Sequence, residues 1–530
     1  MKITKTSCAF IVRFLTIILC FAIYSCAKKP IELDITPPDL YQKMVNNPVL
    51  KKYAKGESFC WNARVGMEQY VDNYLLTKDT SWLDWGIKYY DFLLDKMDTA
   101  PDGYKGWIGP YGYDDNYWTD VHVGDAILLT GILDFAVLVS DDESLKKNYG
   151  DKANSYVEIA KKHFIEKWDK RDTWQEDGLY GAYVRSNKYL KPNNFKEWIY
   201  APEISGSGIS HPFNKQMDAA QVCLRIYRIT GEKFYWDRAE KIFFTAKSRF
   251  QYFDDHYVWN YWEPLVPGDI DLEKKNTRHG VWVHPWRSGY QAGEVQKIVE
   301  AYHYGMVFDE KDVQRIINTN LKVMWNKDKE NPEFISSNGK GADKDTTGLG
   351  AFQQRWGHSN ATKNSGQLWT GLLDFDQTVR DLYELRFKKG NVRQYERTRY
   401  ENTVLKNPPS FKRKYAKGKV TVPIVKFTEC RDLNMATVIP NIITRGKESI
   451  IINKSWKSGE LEIALYSTDG KKIKKLYKGP IEGGFYGGPS GIFLITWDGA
   501  DPDNKDTYVG DYHIRWTFGD GYREFPVIIK

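Results

Sequence analysis

Cysteine is scarce in this chain. Six occur among 530 residues, and three of them, Cys8, Cys20 and Cys26, fall at the N-terminus. Cys60, Cys223 and Cys430 are far apart, so neither a disulfide framework nor a CxxC metal site is expected. Histidine is sparse too, with nine copies. His279, His284 and His303 come nearest to a cluster, but no HxH or HxxxH spacing sets two of them on one helical face. No metal and no cofactor is expected. The apolar run near the N-terminus, residues 14–23, is too short to span a bilayer. The formal net charge of +7 is carried by Lys2, Lys5 and Arg13 and by a basic tail over residues 411–530, while the body between them is slightly acidic. The charge balance therefore gives no ground for a nucleic-acid partner.

Aromatic side chains are abundant. They make up 15% of the chain, with 19 Trp and 35 Tyr. Such an excess serves either bulky cores or stacking platforms for flat-faced ligands such as pyranose rings.

Lys2, Lys5 and Arg13 followed by the apolar run read as a cleavable secretory signal. It ends at Ile23-Tyr24-Ser25-Cys26, which resembles the lipobox of bacterial lipoproteins. That resemblance implies removal of residues 1–25, lipidation of Cys26 and anchoring in the outer membrane, facing the periplasm or the exterior. Residues 26–47, with Pro30, Pro37 and Pro38, then read as an extended tether.

Helical periodicity starts after the tether. Phe59, Trp61, Val65, Tyr70 and Tyr74 share one face, and Trp85, Tyr89, Phe92 and Leu93 share another. Further pairs are expected at 120–140 and 142–168, 214–229 and 233–250, 290–304 and 311–325, and 367–387 with a shorter partner after Asn391. Connectors within a pair are short and carry an acid near the next helix start, as in Thr77-Lys78-Asp79 and Phe308-Asp309-Glu310. Connectors between pairs are long. This alternation predicts an all-α ring of inner and outer helices over residues 48–405, with its long loops at one mouth. The segment Thr230-Gly231-Glu232-Lys233-Phe234-Tyr235-Trp236-Asp237-Arg238-Ala239 resembles a turn-and-helix pattern of the (α/α)-toroid carbohydrate-active enzymes. That group includes glycoside hydrolases, polysaccharide lyases and sugar epimerases, and the resemblance implies an (α/α)5-6 toroid acting on a polysaccharide or oligosaccharide.

Residues 406–427, with Pro408, Pro409 and many lysines, read as a linker. From 428 to 530 the period becomes two, with strands at 449–452, 460–466, 473–477, 491–497, 512–518 and 525–529. Tyr466-Ser467-Thr468-Asp469-Gly470-Lys471-Lys472-Ile473 and Trp497-Asp498-Gly499-Ala500-Asp501 resemble the hook-capping type of Ig-like β-sandwich. A small all-β sandwich is the implied fold of this tail.

Four stretches carry candidate chemistry. The segment 279–294 gathers His279, Trp282, His284, Trp286, Arg287, Tyr290 and Glu294, a mix of proton-transfer groups, a carboxylate clamp and flat apolar faces. The segment 112–122 holds Asp114, Asp115, Trp118, Asp120 and His122 at the start of a helix. His211 and Asn214 open another, and Trp259, Trp262 and Glu263 form an aromatic wall with one acid. Trp118, Trp259, Trp262, Trp282 and Trp286 are the stacking candidates. Helix capping by Asp120 and Asn214, and core packing of the tryptophans, are the plain alternatives.

Two reactions fit these sets. For β-elimination on a uronate, Arg287, Asn214 or His211 would neutralise the carboxylate, His284 or His122 would take the α-proton, and Tyr290 would protonate the leaving oxygen. For hydrolysis, two of Asp114, Asp115, Asp120, Glu263 and Glu294 would flank the glycosidic bond. The elimination set is slightly favoured because Arg, His, Asn and Tyr all fall at loop–helix junctions. A third alternative is a glycan-binding lipoprotein without catalysis.

Overall fold

The computed structural model describes residues 33–530 except 112–113, 203, 205, 254, 284–288, 335–366, 391–393, 417–419, 421, 423–427, 431, 456, 485–489 and 501–507. Its helices include α1 (Pro37–Val45), α2 (Gly56–Ala63), α3 (Glu68–Thr77), α4 (Ser81–Leu94), α5 (His122–Asp141), α6 (Glu143–Ala160), α7 (Phe213–Thr230) and α8 (Lys233–Ser248). They are followed by α9 (Gly289–Tyr304), α10 (Glu310–Asn318), α11 (Gln377–Lys388) and α12 (Gln394–Asn402).

Local chemistry explains where these helices begin and end. Asp142 caps α6 by accepting from the Ser144 amide, and Asp309 and Asp312 form a reciprocal capping box on α10. Helix α7 ends on Gly231 at φ 73°, a left-handed position that costs glycine little. The first expected helix is broken between α2 and α3, where Gly66 takes φ +93°. Residues 37–45, expected as extended tether, are helical instead. Thr36 caps the helix and Pro37 and Pro38 occupy its first turn, where proline needs no amide partner, so that Leu40 and Met44 are buried.

The helices pair as α3 with α4, α5 with α6 and α7 with α8, while α5, α7 and α9 pack side by side. Helix α5 is apolar nearly all round and lies inside this array, which is why it shows no polar face.

The all-α expectation for this part is overturned. The long connectors carry strands: β1 (Gly109–Tyr111), β2 (Asp114–Thr119), β5 (Lys188–Lys191) and β6 (Asn194–Tyr200) form a four-stranded sheet in the order β1-β2-β5-β6. Between β2 and β5 in the chain, β3 (Trp174–Asp177) and β4 (Tyr180–Tyr183) make a separate hairpin. Strand β7 (Asn260–Trp262) pairs with β8 (Trp282–Val283). Backbone groups in connectors this long need partners, and strand pairing supplies them where helix is not available. The protein therefore mixes helices and sheets throughout.

The C-terminal part has two sheets. One has the order β9 (Leu433–Ile439), β11 (Ser449–Ser455), β14 (Ile492–Trp497). The other runs β10 (Ile442–Ile443), β16 (Gly521–Ile529), β15 (Gly510–Phe518), β12 (Gly459–Ser467), β13 (Lys472–Ile481). Period-two burial of Ile514, Trp516, Phe518, Phe525, Val527 and Ile529 turns one face of the larger sheet inward.

This part is fastened to the helices by specific bonds. Asp177 accepts from the Asn441 and Ile442 amides, Gln251 donates to Asn434 O at 2.6 Å, and Arg523 donates to Gln251 Oε1 at 3.2 Å. Phe525 stacks on Tyr180 with centroids 5.6 Å apart.

Candidate functional site

Helices α5, α7 and α9 run parallel. Arg225 and Arg228 of α7 reach Asp134 and Asp141 of α5 in the same order along both helices, and Asp218 and Arg225 of α7 reach Lys297 and Glu300 of α9 likewise. Their N-termini therefore lie together at one end, the positive end of each helix dipole.

Among the described residues, the inner faces of α3, α5, α7 and α9 border a cavity of about 1560 Å3. Its polar lining on α7 is Asn214, Asp218, Gln221 and Arg225, one helical stripe. Lys297 bridges Asp218 at 2.5 Å and Asn214 O at 3.1 Å, and Gln221 donates to Glu300 at 2.6 Å. Farther round, Arg399 pairs with Asp72 at 2.8 Å. Burial still raises the Asp72 carboxyl to about 6, and the Asp134 carboxyl is also raised by burial, against the pull of Arg225. Sequence reasoning named Asn214 but missed Asp218, Gln221 and Arg225, because polar residues at helical spacing read as a solvated face.

Tyr290, in the first turn of α9, is half-buried, lines the cavity and lies 5.2 Å from the Tyr261 ring. Burial raises the Tyr261 hydroxyl, and Tyr290 and Glu294 add to the effect. Asn214 lines the same cavity, is almost fully buried, and its Oδ1 finds no hydrogen-bond partner among the described residues. These two candidates are brought together at the helix starts.

Other candidates are placed elsewhere. His122 and His211 are buried and stacked on each other, 4.9 Å apart, with Tyr183, Phe164 and Trp168 packed around His122. Burial, with help from Lys167 and Lys215, lowers His122 to about 3; burial and His122 lower His211 well below its ordinary value. Both rings are neutral and lie outside the cavity lining. Glu294 accepts from the Trp259 indole at 2.7 Å and is buried.

Three placements correct the sequence reading. Asp120 is no free acid at a mouth: it is buried against Lys167 at 2.9 Å and Arg171 at 2.7 Å. Burial pushes its carboxyl up, but the two cations outweigh burial and bring it to about 2. Glu263 lies at the joint with the C-terminal sheets, 3.2 Å from Arg249 and bonded by Asn260, because the turn after β7 carries it away from the helix starts. Trp259 is 1% exposed and packs on Phe250 and Trp369, which makes it core.

Trp262 is also buried, with its indole N–H on Ser210 O at 3.1 Å and its face on His279 at 4.1 Å. His279 in turn lies 3.3 Å from Asp269, which also accepts from the Ser210 amide. Trp118 is half-buried against Phe195, with Lys55 over its ring. The side chains of Asp114, Asp115 and Trp282, and all of His284, Trp286, Arg287 and Cys26, lie outside the described residues. Among the described residues, no group of three His, Cys, Asp or Glu is placed to hold a metal ion.

No protein-family model matches the chain, and no curated protein matches it. Among solved structures, it is similar to a mannosidase of glycoside hydrolase family 76 from Bacteroides thetaiotaomicron VPI-5482. The identity is 14% and the TM-score 0.33, over 65% of this chain and 71% of that one. A likeness at that TM-score carries no argument about fold or activity.

Proposed function

We propose that the protein binds a glycan chain in the cavity between α3, α5, α7 and α9 and cleaves it by β-elimination next to a uronate. The observation that carries this reading is the convergence of parallel helix starts on Tyr290 and Asn214, beside Lys297. Positive helix ends suit the carboxylate of a uronate, and the unused amide oxygen of Asn214, beside the Lys297–Asp218 pair, suits a sugar hydroxyl. Tyr290 protonates the leaving oxygen. His284 takes the α-proton, since His122 and His211 are walled off from the cavity, and Arg287 neutralises the substrate carboxylate. Of the acids nominated for hydrolysis, Asp120, Glu263 and Glu294 are already held by Lys167, Arg249 and Trp259.

A second reading rests on Asp72. A cavity carboxyl raised to about 6 is in the range of a general acid, so hydrolysis with Asp72 as donor is the alternative. Incubation with a panel of acidic and neutral glycans separates the two. New ultraviolet absorbance with new reducing ends supports elimination, and reducing ends without absorbance support hydrolysis. Retention on a glycan without either supports a binding protein. The residues Ile23-Tyr24-Ser25-Cys26 support a lipid anchor at Cys26, which detergent partition of Cys26→Ala against the unmodified sequence tests.

A further inference from the structure

A second cavity, of about 260 Å3, lies at the joint between the helices and the C-terminal sheets. Its wall includes two buried guanidinium groups, Arg249 just after α8 and Arg523 of β16. Arg249 Nε is 3.2 Å from Glu263 Oε1, yet neither its Nε nor its Nη1 finds a hydrogen-bond partner among the described residues. Asn434, 2% exposed and also on the wall, leaves both its Oδ1 and Nδ2 without such a partner.

Glu263 is the wall carboxylate that acts on both arginines, with Asp177 acting on Arg249 and Glu429 on Arg523 from outside the wall, while Glu524, the other acid on the wall, is held by Arg515 Nε at 2.7 Å. Burial lowers the pKa of both Arg249 and Arg523 despite the pull of these carboxylates, so both guanidinium groups are strongly desolvated. The rest of the wall includes the rings of Phe244, Phe250 and Phe525. Buried donors without acceptors are costly, and an anion with an apolar body satisfies both halves of the wall.

We propose that this cavity binds a small organic monocarboxylate, with its carboxylate on Arg249 and Asn434 and its apolar body against Phe244, Phe250 and Phe525. The site is separate from the cavity between the helices and does not depend on the reaction assigned there. Because its walls come from both parts of the chain, an occupant also ties the sheets to the helices.

Calorimetric titration of the full chain with benzoate near neutral pH tests the proposal. The expected result is saturable one-to-one binding, with the neutral analogue benzamide and with inorganic phosphate each weaker by about tenfold or more. Asn434→Leu keeps the branched shape and the number of heavy atoms and removes groups that bond to nothing described, so it should fold and weaken benzoate by about tenfold. Arg249→Gln should abolish binding. The absence of saturable binding, equal affinity for benzamide or phosphate, or full affinity in a normally melting Asn434→Leu protein would overturn the proposal.

Discussion

His122 and His211 lie face to face where α5 and α7 begin, with ring centroids 4.9 Å apart and planes 18° from parallel. Neither ring has a hydrogen-bond partner among the described residues, and Lys167, Lys215 and Arg185 act on them with like charge. Burial therefore holds both neutral. In the unfolded chain each titrates near about 6.5, so the unfolded state gains protons that the folded state refuses as pH falls. Their contribution to stability is complete above that value and is lost as pH drops toward 3. At pH about 5 the loss is about 2 kcal/mol per ring. Asp125 and Glu263, both raised to about 7 mainly by burial, act in the opposite direction. The clean readout is the difference between the protein and His122→Gln/His211→Gln in urea unfolding at pH about 7.5 and about 5, with the variant losing less. Equal losses would show that the pair does not titrate this way.

Tyr290→Phe tests the assigned proton donor. The ring stays against Tyr261 and only the hydroxyl is removed. Turnover should fall by about a hundredfold or more while KM changes little, because the lost interaction belongs to the transition state. Tyr261→Phe, whose hydroxyl is raised by burial, should cost far less. Unchanged turnover in Tyr290→Phe would remove this residue from the mechanism.

Lys167 is fully buried between Asp120 at 2.9 Å and Asp125 at 2.6 Å and donates to Lys105 O. Lys167→Met leaves Asp125 with only the Trp168 indole and should cost about 3–5 kcal/mol. Adding Asp125→Asn removes the stranded charge and should recover part of that loss. Urea unfolding of the two variants checks both statements. A loss below about 1 kcal/mol in the single variant would mean that the lysine does not hold the acids together.

The helix pairs were legible because α7 and α8 carry long periodic patterns and α6 and α10 have acid-capped starts. Their connectors were not. Strands of two or three residues, such as Gly109–Tyr111 and Asn260–Trp262, are too short to show a period, and the longer Asn194–Tyr200 lacks a clean alternation of buried and exposed positions. Asp218, Gln221 and Arg225 have the spacing of a solvent-facing stripe, and only the neighbouring helices reveal that they face the same cavity as Asn214. The same ambiguity misplaced Glu263. An acid beside Trp259 and Trp262 reads as a sugar-binding wall, while its actual partner, Arg249, comes from another helix and is invisible to local reasoning.

One of the attachments of the C-terminal sheets is a single carboxylate that takes two backbone donors. Asp177, at the end of β3, accepts from the Asn441 and Ile442 amides, which open β10. Burial raises its carboxyl, though these two amides pull the other way, so the group is desolvated as well as bonded. Asp177→Ala strands both donors at the joint and should cost about 2–3 kcal/mol. The loss should fall on the joint, since the strand ladders on either side are untouched. Limited proteolysis should then release the C-terminal part earlier than in the unmodified protein, while the helices melt as before. A uniform fall in the melting of both parts, with no earlier release, would mean that the two parts unfold as one unit and that Asp177 is not their local fastening.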